Sequence, residues 1–254
     1  MTESLDVVLK GKSTLIKNKQ YLATKDYVQP FIDRFTGKNA TFICNVKRSD
    51  QISVTDGVDD TVYNKVMITA ILPDVISIGE KVFNPVVTMA YALDTKVPVV
   101  KFYSGVIDKE DRFFQFGRQF VKIQKIEDST PFDLMDLDEI IKKVGTDNCR
   151  DSIRDLMHAT YGNGELIRRL GTWVDYTLNK DYITEVGKVK LASSLVIDTY
   201  KNLTLDQDSD FYSFGKDVPI FTVMASMIDA ITNDEKDLIN RFEKTLLVSE
   251  MLTV

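Results

Sequence analysis

Apolar positions Tyr27, Val28, Phe31, Ile32 and Phe35 recur at the spacing of one helical face, with Thr24 able to cap and Gly37 to stop the run. They predict a helix from Thr24 to Phe35, kinked or delayed in its start by Pro30, which lies too deep for a first-turn proline. Before it, Leu5 to Leu22 mixes short apolar pieces with lysines at 10, 12, 17 and 19 and reads as an arm or edge strand. From Ala40 the period changes to two. Thr41, Phe42, Ile43 and Val46, then Gln51 to Thr55, then Val62 to Leu72 read as strands rich in β-branched and aromatic residues. The Asp-Gly step inside Thr55–Asp60 predicts a hairpin between two of them. Val75 to Ile78, Pro85 to Leu93 and Val97 to Tyr103 continue the pattern, punctuated by Gly79, Asn84, Asp94 and Pro98.

Beyond Thr130 the period becomes 3.6. Helices are expected over Asp133–Val144, Thr146–Tyr161, Gly164–Leu178, Lys188–Tyr200, Val218–Thr232 and Asn233–Leu247, the last capped by Asn233 with acids in its first turn. Strands first and helices later define an α+β fold, with a mostly antiparallel sheet in the N-terminal half and a helical array in the C-terminal half. No internal repeat or low-complexity linker interrupts it. The expectation is one domain over 1–254, with a sheet-rich region 1–130 and a helical region 131–254 meeting near Glu127–Pro131.

Charge and cysteine content narrow the setting. A net charge of -6 and a pI near 5.0 argue against wholesale wrapping of duplex DNA, while leaving room for a local basic patch. Cys44 and Cys149 have no CxxC spacing and fit buried thiols in a reducing compartment. The first residues, with an acid and no long apolar stretch, do not read as a secretory signal, and no apolar run approaches a bilayer span. A cytoplasmic protein with no membrane association is expected.

Catalytic signatures are sparse. A single histidine, His158, excludes histidine-pair mechanisms and two-histidine metal sites within one chain. The chain has no GxSxG elbow, no GxxxxGK[ST] and no GxGxxG, and Gly162-Asn163-Gly164 reads as a turn. Asp56, Asp59 and Asp60 have the oxygens for a divalent cation, but acids in a turn are ordinarily solvated. Asp206 to Asp210 begins like a calcium loop, then sets Phe211 where glycine is needed and Asp217 where the bidentate glutamate belongs. No cofactor and no metal ligand is assigned.

One segment stands apart. Between Lys96 and Ile126 seven cations face three acids, a local charge of +4, whereas Glu127 to Tyr161 carries nine acids against four cations, or -5. If Arg118 to Ile126 is a strand, Arg118, Phe120, Lys122 and Gln124 share one face. In the strand before it, Val100 and Phe102 would turn inward and Lys101 and Tyr103 outward. Adjacent faces of this kind suit single-stranded nucleic acid, with rings for stacking and cations for phosphates. The candidate nucleic-acid-binding residues are therefore Lys101, Tyr103, Arg112, Arg118, Phe120 and Lys122. Against this, Phe113, Phe114 and Phe116 would serve equally as core and the cations as a solvated sheet face.

Val97–Gly105 (VPVVKFYSG), the strand Phe120–Ile126 and Val218–Leu247 together resemble the phage- and plasmid-related domain-of-unknown-function family numbered 932, over about residues 40–254. Met227–Thr232 (MIDAIT) departs from that family's pattern with Asp229 in place of asparagine, and Lys109–Phe114 (KEDRFF) replaces a Cys-Thr-Asn-like stretch. The resemblance implies phages and plasmids, near genes of replication and recombination, and no established activity. Joined to the basic segment, it points to a non-enzymatic phage protein that binds or anneals single-stranded DNA in the host bacterial cytosol, as a homo-oligomer. The alternative is a counter-defence protein that binds a host protein or sequesters a small ligand. A metal-dependent nuclease is a third class.

Overall fold

The computed structural model describes residues 14–16, 19–21, 24–48, 53–55, 58–60, 63–92, 99–116, 122–125, 138–139, 142, 146–162, 164–166, 168–170, 182–184, 187–189, 193–209, 212 and 216–252. In chain order the elements are β1 (Thr14–Ile16), β2 (Lys19–Tyr21), α1 (Thr24–Thr36), β3 (Thr41–Arg48), β4 (Ser53–Thr55), β5 (Val58–Asp60), β6 (Tyr63–Ile71), β7 (Ile76–Ile78), β8 (Lys81–Ala92), β9 (Val99–Asp108), β10 (Phe113–Gln115) and β11 (Lys122–Lys125). Then come α2 (Thr146–His158), β12 (Thr160–Tyr161), β13 (Tyr182–Thr184), β14 (Gly187–Val189), α3 (Ser193–Thr204), β15 (Val218–Pro219), α4 (Ile220–Asp234) and α5 (Leu238–Leu252). The fold is α+β, an antiparallel sheet in the N-terminal half and helices in the C-terminal half.

Among the described residues, seven strands form the main sheet, in the order β10-β9-β8-β6-β3, with β11 also on β9 and β7 on β8. Two compact units are distinguished: Met1–Ile76 with Asn84–Gly105 and Phe120–Thr146, and Ser77–Phe83 with Val106–Gln119 and Asp147–Val254. The seam expected at Glu127–Pro131, and most of the helix expected over Asp133–Val144, lie outside the described residues.

In the first unit, β3 runs antiparallel to β6 from Thr41↔Ile71 to Lys47↔Lys65, and β6 to β8 from Lys65↔Ala92 to Ile71↔Val86. Val66, Met67, Ile68 and Ala70 on β6, and Val86, Val87, Met89 and Ala90 on β8, are all buried, so both faces are covered and the apolar runs lack alternation. Thr69 and Thr88, directly opposite one another, meet hydroxyl to hydroxyl at 2.9 Å and satisfy each other in that interior. Helix α1 presents Val28, Phe31, Ile32 and Phe35 to the core, and the Phe31 ring lies 6.3 Å from Phe102 of β9. Its helical backbone runs through Pro30. A hairpin forms at the expected place, with Thr55 opposite Val58, but its second strand is Val58–Asp60, inside the segment read as the turn, while Tyr63–Ile71 pairs with β3 and β8 instead.

In the second unit, β10 is gripped from both sides of its pleat. Phe114 stacks on Phe221 of α4 at 4.7 Å, with Phe83 edge-on to both, while Phe113 meets Phe242 of α5 at 6.1 Å. Helix α4 is buried almost all round, from Phe221 to Ile231, as its apolar composition demands. Several boundaries differ from expectation: α2 ends at His158, with Thr160–Tyr161 a short strand paired to Val218–Pro219, so α4 begins at Ile220 and not at Val218. Asn233 lies inside α4; Asp237 begins α5 instead, its carboxylate accepting from the Asn240 amide at 3.1 Å. The helix expected from Lys188 starts only at Ser193, because Gly187–Val189 pairs with Tyr182–Thr184 as a hairpin. Gly187 is a poor helix residue and Val189 a good strand residue, so the local preference for strand prevails there.

Candidate functional site

Lys101 and Tyr103 sit on β9 among buried neighbours. Lys101 is 7% exposed and Tyr103 5%, with Val100, Phe102 and Ser104 equally enclosed. The outward face expected from alternation is therefore absent: β9 runs between β8 and its other partners and is covered on both sides.

The register with β11 bears on the same surface. Lys122 is opposite Phe102, Ile123 opposite Lys101, and Gln124 opposite Val100. Positions directly opposite in an antiparallel pair share a side of the pleat, so positions 122 and 124 share the side of Phe102 and Val100. Position 101 lies on the other side, and so does 103. Arg118 and Phe120 lie outside the described residues.

Arg112 belongs to a different cluster, at the turn from β9 into β10. Its side chain is 12% exposed and its Nε donates to Asp108 Oδ2 at 2.7 Å, Nη2 to Glu110 Oε2 at 2.5 Å and Nη1 to Asp229 Oδ2 at 3.4 Å. Asp108 also organises the turn itself, accepting from the backbone amides of Glu110 and Arg112 at 3.0 Å each. These bonds hold Asp111 at φ 59°, a left-handed conformation that aspartate tolerates better than most residues. The segments Lys109–Phe114 and Met227–Thr232, far apart in sequence, thus meet through Arg112 and Asp229.

The electrostatics rank these contacts. Burial works to lower the Arg112 pKa, but Asp108, Asp229 and Glu110 outweigh it and hold the guanidinium above its ordinary value. At Asp229 burial prevails, and its pKa is raised despite Arg112. Both shifts are upward, so they favour the charged form of Arg112 and the neutral form of Asp229, whose burial and whose neighbours Asp108 and Glu110 work against the 3.4 Å contact. With its donors spread over three carboxylates, Arg112 is a structural cation of the turn.

The other chemically capable groups are placed as follows. His158 is exposed at the end of α2, and Asp206 folds its own loop by accepting from the Asp208 amide at 3.2 Å. Cys44 and Cys149 are buried thiols outside any disulfide, and burial pushes the Cys149 thiol up to about 12. Among the described residues, no group of three or more His, Cys, Asp or Glu is placed to hold a metal ion. Among them too, no helix is long and apolar enough to cross a membrane.

The feature that sequence reasoning missed is on α3. Leu195, Val196, Thr199 and Leu203 turn inward, whereas Ile197 is 47% exposed, Tyr200 37% and Leu205, just beyond the helix, 66%. Tyr212, in the loop that follows, is 36% exposed. Ile197 and Tyr200, three apart, share the exposed side of the helix with the exposed Lys201, and Leu205 follows just beyond its end. The signal was present in the sequence, since Ile197 and Tyr200 are the large apolar residues of that helix left off its periodic face.

Comparison with protein families, with curated proteins and with solved structures returned no match to this chain.

Proposed function

We propose that the protein acts without catalysis, as a phage protein that binds a protein of its host cell through the exposed side of α3 and the residue that follows it. The observation carrying this reading is the exposure of Ile197 and Tyr200 on a helix whose opposite face, Leu195, Val196, Thr199 and Leu203, is buried, with Leu205 exposed just beyond its end. Large apolar side chains grouped on a surface are the usual anchors of protein contacts, and an amphipathic helix offers them to a partner groove or sheet. The test compares the wild type with an Ile197→Asp/Leu205→Asp variant, each immobilised and exposed to host lysate. A protein retained by the wild type and lost by the variant, with equal circular dichroism, is expected; equal retention overturns the reading. Light scattering of the same pair identifies the case in which the partner is a second copy of this chain.

A second reading is single-stranded DNA binding or annealing in phage replication or recombination, in the bacterial cytosol. Its support is the +4 charge between Lys96 and Ile126 and the resemblance carried by Val97–Gly105 and Val218–Leu247. Burial of Lys101 and Tyr103 and the pairing of Arg112 shift its weight to Arg118, Phe120, Lys122 and Lys125. Fluorescence anisotropy with labelled single strands at low salt tests it: a triple Arg118→Ala/Lys122→Ala/Lys125→Ala variant loses binding and flattens the salt dependence. No binding by the wild type excludes it.

A further inference from the structure

Gln115, the last residue of β10, is 2% exposed, and neither its side-chain nitrogen nor its side-chain oxygen has a hydrogen-bond partner in the protein. Its backbone is well held: the Ser249 hydroxyl of α5 donates to the Gln115 carbonyl at 2.6 Å. The pleat fixes which side the amide takes. Phe114 points to Phe221 on α4, so Gln115 shares the side of Phe113, whose ring meets Phe242 on α5.

That side of the second unit is polar for a buried region, with Thr245 at 3% and Ser249 at 0% exposure on α5. Thr245 spends its hydroxyl on the Phe242 carbonyl and Ser249 spends its own on Gln115, so neither hydroxyl proton is available to the amide oxygen. A primary amide carries two donors and an acceptor, and enclosing it without partners forfeits the hydrogen bonds it makes to water in the unfolded chain. Native interiors meet such groups with an ordered water, which both donates and accepts.

We infer that a single internal water is bound at the Gln115 side chain, between β10 and α5, accepting from Nε2 and donating to Oε1 or to a neighbouring acceptor. A larger ligand is excluded by the enclosure of the side chain. The site ties the strand to the helix through a third body, in addition to the direct Ser249 bond.

The test is nuclear magnetic resonance of the wild-type protein, reading water-to-protein cross-relaxation at the Gln115 side-chain amide protons. A cross-peak of the sign given by a water resident for longer than the molecular tumbling time is expected. Its absence overturns the inference. As a second measurement, Gln115→Met replaces the amide with an apolar chain of similar length. If water is bound, the variant strands that water's remaining partners and its thermal midpoint falls. A midpoint at or above the wild type identifies an orphan amide and overturns the inference.

Discussion

Replacing Arg112 by leucine should destabilise the protein far more than replacing Asp229 by asparagine, although the two residues touch. Arg112 is 12% exposed and is the shared counter-charge of Asp108, 6% exposed, and of the outer carboxylates Glu110 and Asp229. Removing it leaves Asp108 enclosed without its cation at 2.7 Å, and stranding one member of a buried pair costs about 3–5 kcal/mol. The partial exposure of the cluster argues for the lower end, about 3 kcal/mol. For a chain of this size that is a fall of roughly 6–12 °C in thermal midpoint. Asp229→Asn acts on a 3.4 Å contact whose carboxylate is 34% exposed, and it leaves Arg112 with its two shorter bonds. Contacts of that geometry are worth under about 1 kcal/mol. Urea unfolding of wild type, both single variants and the double variant measures these terms and their coupling. The reasoning fails if Asp229→Asn costs as much as Arg112→Leu, or if Arg112→Leu lies within about 0.5 kcal/mol of wild type, the range of an ordinary surface change.

Three further outcomes are expected. Because burial raises the Asp229 pKa, the folded state holds its proton above the unfolded value, so the stability it adds in acid is lost as pH rises from 3.8 through the higher folded value. The stability difference between wild type and Asp229→Asn should accordingly shift against the wild type as pH rises through that window, read by urea unfolding at a series of pH values. Glu165 donates nothing and accepts from Arg168 and Arg169, which hold its carboxyl down to about 2; carbon-detected titration should show it rising toward 4.5 in Arg168→Ala/Arg169→Ala. Cys149, buried with its thiol pushed up to about 12, should stay unmodified by a thiol reagent at neutral pH until the protein is unfolded in urea.

Much of the architecture was legible because it rests on periodicity. The spacing of Val28, Phe31, Ile32 and Phe35 marked α1, a local signal that the packed structure keeps, and the Asp-Gly step marked the place of a hairpin though not its second strand. The candidate surface was not legible, for a tertiary reason. Alternation along Val99–Tyr103 separates two faces, but whether the second meets solvent depends on what β9 pairs with and what covers it. Lys101 and Tyr103 are enclosed because both faces are covered. Register is likewise a two-strand property: only the pairing of Ile123 with Lys101 shows that position 122 lies across the sheet from position 101. The Arg112 cluster could not be read at all, since its third carboxylate comes from Asp229, far along the chain.

The uneven grip on Arg112 also gives this corner of the molecule a direction in which it can drift. Losing Asp229 first leaves a guanidinium still held by Asp108 and Glu110, a survivable intermediate. Losing Arg112 first strands a nearly enclosed carboxylate inside the turn that holds Asp111 at φ 59°, and so endangers the hairpin before any second change can compensate. Descendants of this chain should therefore shed the helix partner before the hairpin cation. A variant library sorted for folding should recover position 229 substitutions on their own, and position 112 substitutions chiefly alongside a neutralised Asp108.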